Sequence, residues 1–164
     1  MADYESEVKH SPYNNDTVYA KLSDLGTFDD LRLKLDQPGA VDMLMAQVPE
    51  DQRDPEKIQK ALDGVRKLII TSDTLTFPGS PIGDITLAIV ERESPKCIKF
   101  ELQDAPLKAN MWVQLLPATD GGTRLKLTVR ADLNFMMKAM IGSKLQKGVD
   151  GLAQMLSQLP YGMM

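Results

Sequence analysis

The sequence predicts an α+β domain made of one antiparallel sheet and a long C-terminal helix, and three observations carry that expectation. From Lys67 to Ala131 apolar residues recur with a period of two through consecutive short segments, as they do in half-buried strands joined by tight turns. Residues 133–156, "LNFMMKAMIGSKLQKGVDGLAQML", switch to a helical period, with apolar residues gathered in an arc of roughly 160°. Ahead of the sheet stand one alternating segment and two short helical ones.

Taken in order, "DYESEVKH" puts Tyr4, Ser6, Val8 and His10 on one face and Asp3, Glu5, Glu7 and Lys9 on the other, the pattern of a strand. In "SPYNNDTVYAKLSDLGTF" either Asn14 or Asn15 can cap a helix, Val18, Leu22 and Leu25 follow at helical spacing, and Gly26 is the expected stop. A second short helix is expected over "FDDLRLKL". Residues 36–65 change character: Pro38 and Gly39 break the chain, "AVDMLMAQV" is short and Met-rich, and Asp54 followed by Pro55 restarts a helix. This stretch is expected to be a helical insertion over one end of the fold.

The strands follow. "KLIITSDTLTF" predicts a hairpin with Ser72 and Asp73 near its turn, "GDITLAIVERE" places Ile85, Leu87 and Ile89 on one face, and "KCIKFEL" alternates Ile98, Phe100 and Leu102 with charges. The clearest hairpin has Leu107, Ala109, Met111, Val113 and Leu115 inward, a turn at "ATDGG", then Leu125, Leu127, Val129 and Ala131 inward. Consecutive strands joined by short turns pair antiparallel and leave one apolar face to cover. The terminal helix supplies the cover with Leu133, Met137, Ile141, Leu145, Val149, Leu152, Met155, Leu156 and Leu159. Gly148 falls inside that arc, where a helical glycine costs about 1 kcal/mol relative to alanine. It therefore implies either close backbone approach or space left for a ligand, and the four methionines of residues 133–156 suit an adaptable surface.

Size and composition set the outer limits. At 164 residues the chain fits one domain, 1–164, able to bury roughly 70% of its unfolded surface. With 43% hydrophobic residues, 26% charged and a net charge of -4 it belongs with soluble globular proteins. Lys and Arg are scattered among carboxylates, so nucleic acid is not an expected partner. Cys97 is the single cysteine and His10 the single histidine, which excludes an internal disulfide and any Cys-based or His-rich metal site. No apolar run approaches the roughly 18 residues of a membrane span, and no secretory signal opens the chain. The cytoplasm is the default location.

Strand, two helices, antiparallel meander and long terminal helix is the helix-grip order, and the sequence resembles the START-like (SRPBCC) superfamily, which includes Bet v 1 relatives and the polyketide cyclase/dehydrase and lipid-transport proteins. "YESEVKHSPYNNDTVYAKLSDLGTF" is similar to the family's opening strand and first helix, "GDITLAIVERESPKCIKFEL" to its central hairpin, and "VQLLPATDGGTRLKLTVRADL" to its late hairpin. The likeness covers nearly the whole chain except 36–65. It implies a curved sheet wrapped around the C-terminal helix, with a cavity between them for a hydrophobic small molecule or lipid. The residues expected to contact such a ligand are Phe100, Met111, Val113, Leu127, Val129, Met137, Ile141, Leu145, Gly148 and Leu152, with His10 at the end of the first strand.

Chemistry beyond binding has little to rest on. No G-x-S-x-G nucleophile motif occurs, "GSPIGD" lacks the Lys and spacing of a phosphate loop, and neither a catalytic residue, a metal nor a cofactor is assigned. A cyclase or dehydratase acting on a hydrophobic substrate ranks second, since His10, Tyr4 and Ser6 are the polar groups on the expected inner face. A protein-interaction module ranks third, through the outer sheet face around Trp112. That residue shares its face with Lys108, Asn110 and Gln114, so its expected cover is the insertion, a second subunit in a homodimer, or a local bulge. Asp84, Glu91, Arg92 and Glu93 are expected to form a solvated face and turn.

Overall fold

A computed structural model of the chain describes residues 2–35, 37–39, 66–80, 83–103, 107–159 and 161, with isolated positions between 42 and 63. The helical insertion expected at 36–65 lies, apart from those positions, outside the described residues. The elements run β1 (Ala2–Glu5), β2 (Lys9–Ser11), α1 (Asn15–Leu22), α2 (Gly26–Leu35), β3 (Ile69–Ile70), β4 (Thr74–Ser80), β5 (Gly83–Glu93), β6 (Cys97–Gln103), β7 (Ala109–Pro117), β8 (Thr123–Ala131) and α3 (Phe135–Gln158). One curved antiparallel sheet has the order β1-β8-β7-β6-β5-β4-β3, with β2 also on β8. β1 and β2 pair with the last strand of the meander, so the chain's first and last strands lie side by side.

The opening segment is not one strand. Glu5 faces Thr128 and Lys9 faces Leu125, so residues 6–8 oppose only residues 126 and 127, which is a bulge of one residue. Ser6 anchors it: its Oγ accepts from Leu127 N at 2.9 Å and donates to Glu7 O at 2.9 Å. One extra residue reverses the alternation. Val8, expected inward, is therefore 59% exposed, and His10 pairs with the exposed Arg124 on the outer face.

Asn14 caps α1, its side chain accepting from Thr17 N at 2.8 Å. The helix ends at Leu22 with Ser23 as C-cap, and Gly26 opens α2 rather than stopping α1. Val18, Leu22, Leu25, Phe28 and Leu31 are all buried, forming a core under these two helices. A second bulge lies in β5, where Ile89 faces Phe100 but Glu91 faces Lys99. Arg92 is not merely part of a solvated stretch: its guanidinium donates to Ser23 O at 2.9 Å and to Asp73 Oδ1 at 2.8 Å, tying β5 to α1 and to the β3–β4 turn.

Asn134 caps α3, accepting from Met137 N at 2.8 Å. The helix packs on β8, β1 and β2, which occupy one side of the concave face. Its C-terminal half enters the core with Ala153, Leu156 and Leu159, and Tyr161 beyond it is fully buried. Tyr161 Oη donates to Leu156 O at 2.5 Å, and its ring stands edge-on to Tyr13 at 5.9 Å. The N-terminal turns extend past this core, leaving Phe135, Met136 and Met140 exposed.

Candidate functional site: an apolar cavity beside the terminal helix

Among the described helices, α3 leans on β8, β1 and β2 and none packs over the β4–β6 side of the concave face. A cavity of about 270 Å³ occupies that space. Its sheet wall is built from Phe77 of β4, Ile85 and Leu87 of β5, Leu102 of β6, Ala109, Asn110 and Met111 of β7, and Val129 and Ala131 of β8. Ile141, Lys144, Leu145, Gly148, Val149 and Leu152 of α3 form the opposite wall, and Leu107 stands at the edge. The sheet residues meet there because antiparallel partners share a face: Met111 lies opposite Val129, Ala109 opposite Ala131, and Leu87 opposite Leu102. Lys144 and Gly148 are exposed and mark the side on which the cavity meets solvent.

Six of the eleven expected contact residues line this space: Met111, Val129, Ile141, Leu145, Gly148 and Leu152. The other five do not. Phe100, Val113 and Leu127, 3%, 2% and 0% exposed, are part of the packed core and lie outside the lining. Met137 sits one turn ahead of Ile141, before the helix reaches the cavity. His10 was carried to the outer face by the bulge, where its Nε2 lies 2.8 Å from Asp120 Oδ2 in the β7–β8 turn, off the line of a hydrogen bond. The Gly122 amide, and then His10, hold the Asp120 carboxyl below the usual carboxylate range.

None of the four methionines of α3 lines the cavity; Met136 and Met140 face solvent, and Met137 and Met155 are half-buried. The two glycines of the helix that bear on its sheet-facing side have different surroundings. A Cβ on Gly148 would meet nothing within 4 Å, whereas one on Gly142 would stand 3.1 Å from Tyr4 Oη. Close approach therefore belongs to Gly142, and open space to Gly148.

Sequence reasoning missed the β4–β5 portion of the wall. Alternation puts Ile85 and Leu87 on one face of their strand and Phe77 in another strand, but nothing in the sequence says on which half of the sheet the helix rests. Asn110 alternates with the inward Ala109 and Met111, and Lys144 is a charged residue next to the apolar arc, so neither is an apolar inward position in the sequence. Trp112 stays on the outer face, half-buried, with Lys99 Nζ 5.5 Å from its ring centroid. Burial, then Glu93 and Glu91, push the Cys97 thiol above its ordinary range, away from reactivity. Among the described residues no group of three or more His, Cys, Asp or Glu could hold a metal ion, and no helix is long and apolar enough to cross a membrane.

No protein-family model and no curated protein matches the chain. Solved structures do. Norcoclaurine synthase from Thalictrum flavum is similar over 96% of this chain and 84% of its own, with a TM-score of 0.62 at 10% identity; it has also been solved in complex with dopamine and hydroxybenzaldehyde. A protein from Thermobifida fusca, solved by solution NMR, has a TM-score of 0.54 at 15% identity, covering 99% of this chain and 94% of that one. One from Nitrosospira multiformis has a TM-score of 0.52 at 8% identity, covering 96% and 95%. Identities this low establish a common fold and leave the chemistry of each site to its own residues.

Proposed function

From the START-like, helix-grip fold that this chain adopts, we propose that it binds a hydrophobic small molecule or lipid in the cavity between the sheet and α3. One observation carries the reading: a space of about 270 Å³ whose wall is apolar apart from Asn110 and Lys144. Such a space in water favours an apolar occupant, because burial removes roughly 25 cal/mol per Å² of apolar surface from solvent. The cyclase or dehydratase reading loses the residues it rested on, since His10, Tyr4 and Ser6 lie outside the lining. The homodimer reading rests on Trp112, half-buried on the outer face with Lys99 Nζ 5.5 Å from its ring centroid.

A thermal-shift panel of neutral lipids, fatty acids and the fluorophore Nile red tests the proposal. A true ligand at a hundred times its Kd raises stability by about 2.7 kcal/mol, a clear rise in the midpoint. If no member of the panel shifts it and Nile red fluorescence stays at its aqueous level, the binding function is wrong.

A further inference from the structure

Two polar residues belong to the cavity's lining, Asn110 near the start of β7, whose register opposite Arg130 and Glu101 turns its side chain outward, and the exposed Lys144 on α3. The Asn110 amide donates to Phe100 O at 3.4 Å, a long bond. Lys144 is exposed, and no described carboxylate forms an ion pair with it. Its neighbours along the helix are Lys138 and Lys147; Asp132 precedes the helix, and Asp150 is occupied by the Glu7 amide and Gln146. A chain with net charge -4 thus presents three lysines and no acidic residue over residues 133–149, and one of them, Lys144, lines the apolar cavity.

Building on the binding function above, we infer that the ligand is a hydrophobic acid, with its apolar body in the cavity and its anionic head at the mouth beside the Lys144 ammonium. The described lining inside the mouth offers no charged group to pair with, and a buried unpaired charge is strongly disfavoured, so an ionised head must remain at the mouth. The volume limits the body. A cavity of about 150 Å³ holds benzene, so 270 Å³ takes an apolar portion of roughly ten to twelve non-hydrogen atoms. Medium-chain carboxylates have these proportions.

Displacement of Nile red by decanoate, decanol and methyl decanoate at neutral pH and low salt separates the body from the head. The expected result for the wild-type protein is that all three displace the dye, with decanoate favoured over decanol by about fivefold, the size of a solvent-exposed ion pair. Salt should shrink that ratio. Lys144→Gln should bring it to about one and Lys144→Glu should reverse it, while Lys147→Gln, one turn away and outside the lining, should keep the wild-type ratio within about twofold. Displacement by decanol and the ester with no preference for decanoate would overturn the anionic head and leave the binding function standing. A preference that survives in Lys144→Gln would also overturn it. If none of the three compounds nor the dye binds, the binding function fails and the head-group assignment falls with it.

Discussion

Gly142 and Gly148 are chemically identical residues of one helix whose replacement should have different effects. Tyr4 is 8% exposed and held in register opposite Val129, so its ring has little freedom to retreat from a new methyl group 3.1 Å from its hydroxyl. Gly142→Ala is expected to lose in that contact what it gains in helix propensity, about 1 kcal/mol. In a Tyr4→Phe background the oxygen is gone and the same substitution should stabilise, giving a coupling of at least about 0.5 kcal/mol in a double-mutant cycle by urea unfolding. Additivity would show that the two residues do not constrain each other. At Gly148, where a Cβ meets open space, Gly148→Leu should keep or raise the unfolding midpoint while weakening Nile red binding by occupying the cavity. A marked loss of stability there would mean that the wall is closed.

At the scale of the element, the bulge between β1 and β2 decides which side chains face inward along the sheet edge. Its anchor is Ser6, 6% exposed, whose hydroxyl takes the Leu127 amide that regular pairing would otherwise leave without a partner. Ser6→Ala strands that buried donor and should cost about 1 to 3 kcal/mol. The loss should be accompanied by faster hydrogen exchange at Leu127 N while exchange in β5 and β6 stays protected. Unaltered stability and exchange would mean that the backbone contact from Ser6 N to Leu127 O, 2.9 Å long, holds the bulge by itself. The same logic of one extra residue explains Arg92: the β5 bulge turns it toward α1, where it links three elements.

The whole molecule is packed unevenly. Toward α1 and α2 the concave face is filled, with Leu115, Leu125, Leu127, Phe28 and Tyr161 all at 1% exposure or less. Toward the start of β7 it opens into the cavity, where Leu145 and Leu152 are only partly buried. Truncations should report the difference. Leu127→Ala leaves a void among close-packed neighbours and is expected to cost about 2 to 5 kcal/mol, with little change in dye affinity per folded molecule. Leu145→Ala removes atoms that already border empty space, so it should cost less than about 2 kcal/mol and should change the affinity for ligands of different length. Equal losses at the two positions in equilibrium unfolding would mean that the cavity is as tightly packed as the core.

Apart from the break between β1 and β2 and the boundary at Gly26, the class and order of the described elements are legible in the sequence, because period, capping and turn chemistry are local. Asn134 ahead of an apolar arc specifies α3, the two-residue alternation from Ile98 to Ala131 specifies the late strands, and Pro117 through Gly122 specifies the turn between β7 and β8, with Gly121 at φ 88°. Local pattern failed where a partner strand set the phase. Val8 and His10 alternate perfectly in sequence, and only their pairing with β8 reveals the extra residue that moves them outward. The site was half legible for a related reason. Inward positions such as Met111, Val129 and Ile141 follow from alternation, but separating a cavity wall from a filled core requires knowing where the helix lies across the sheet. That placement is a balance of packing between distant segments: Gly142 lets α3 settle against Tyr4 on the β1 side, and by doing so leaves Phe77, Ile85, Leu87 and Leu102 facing the open space.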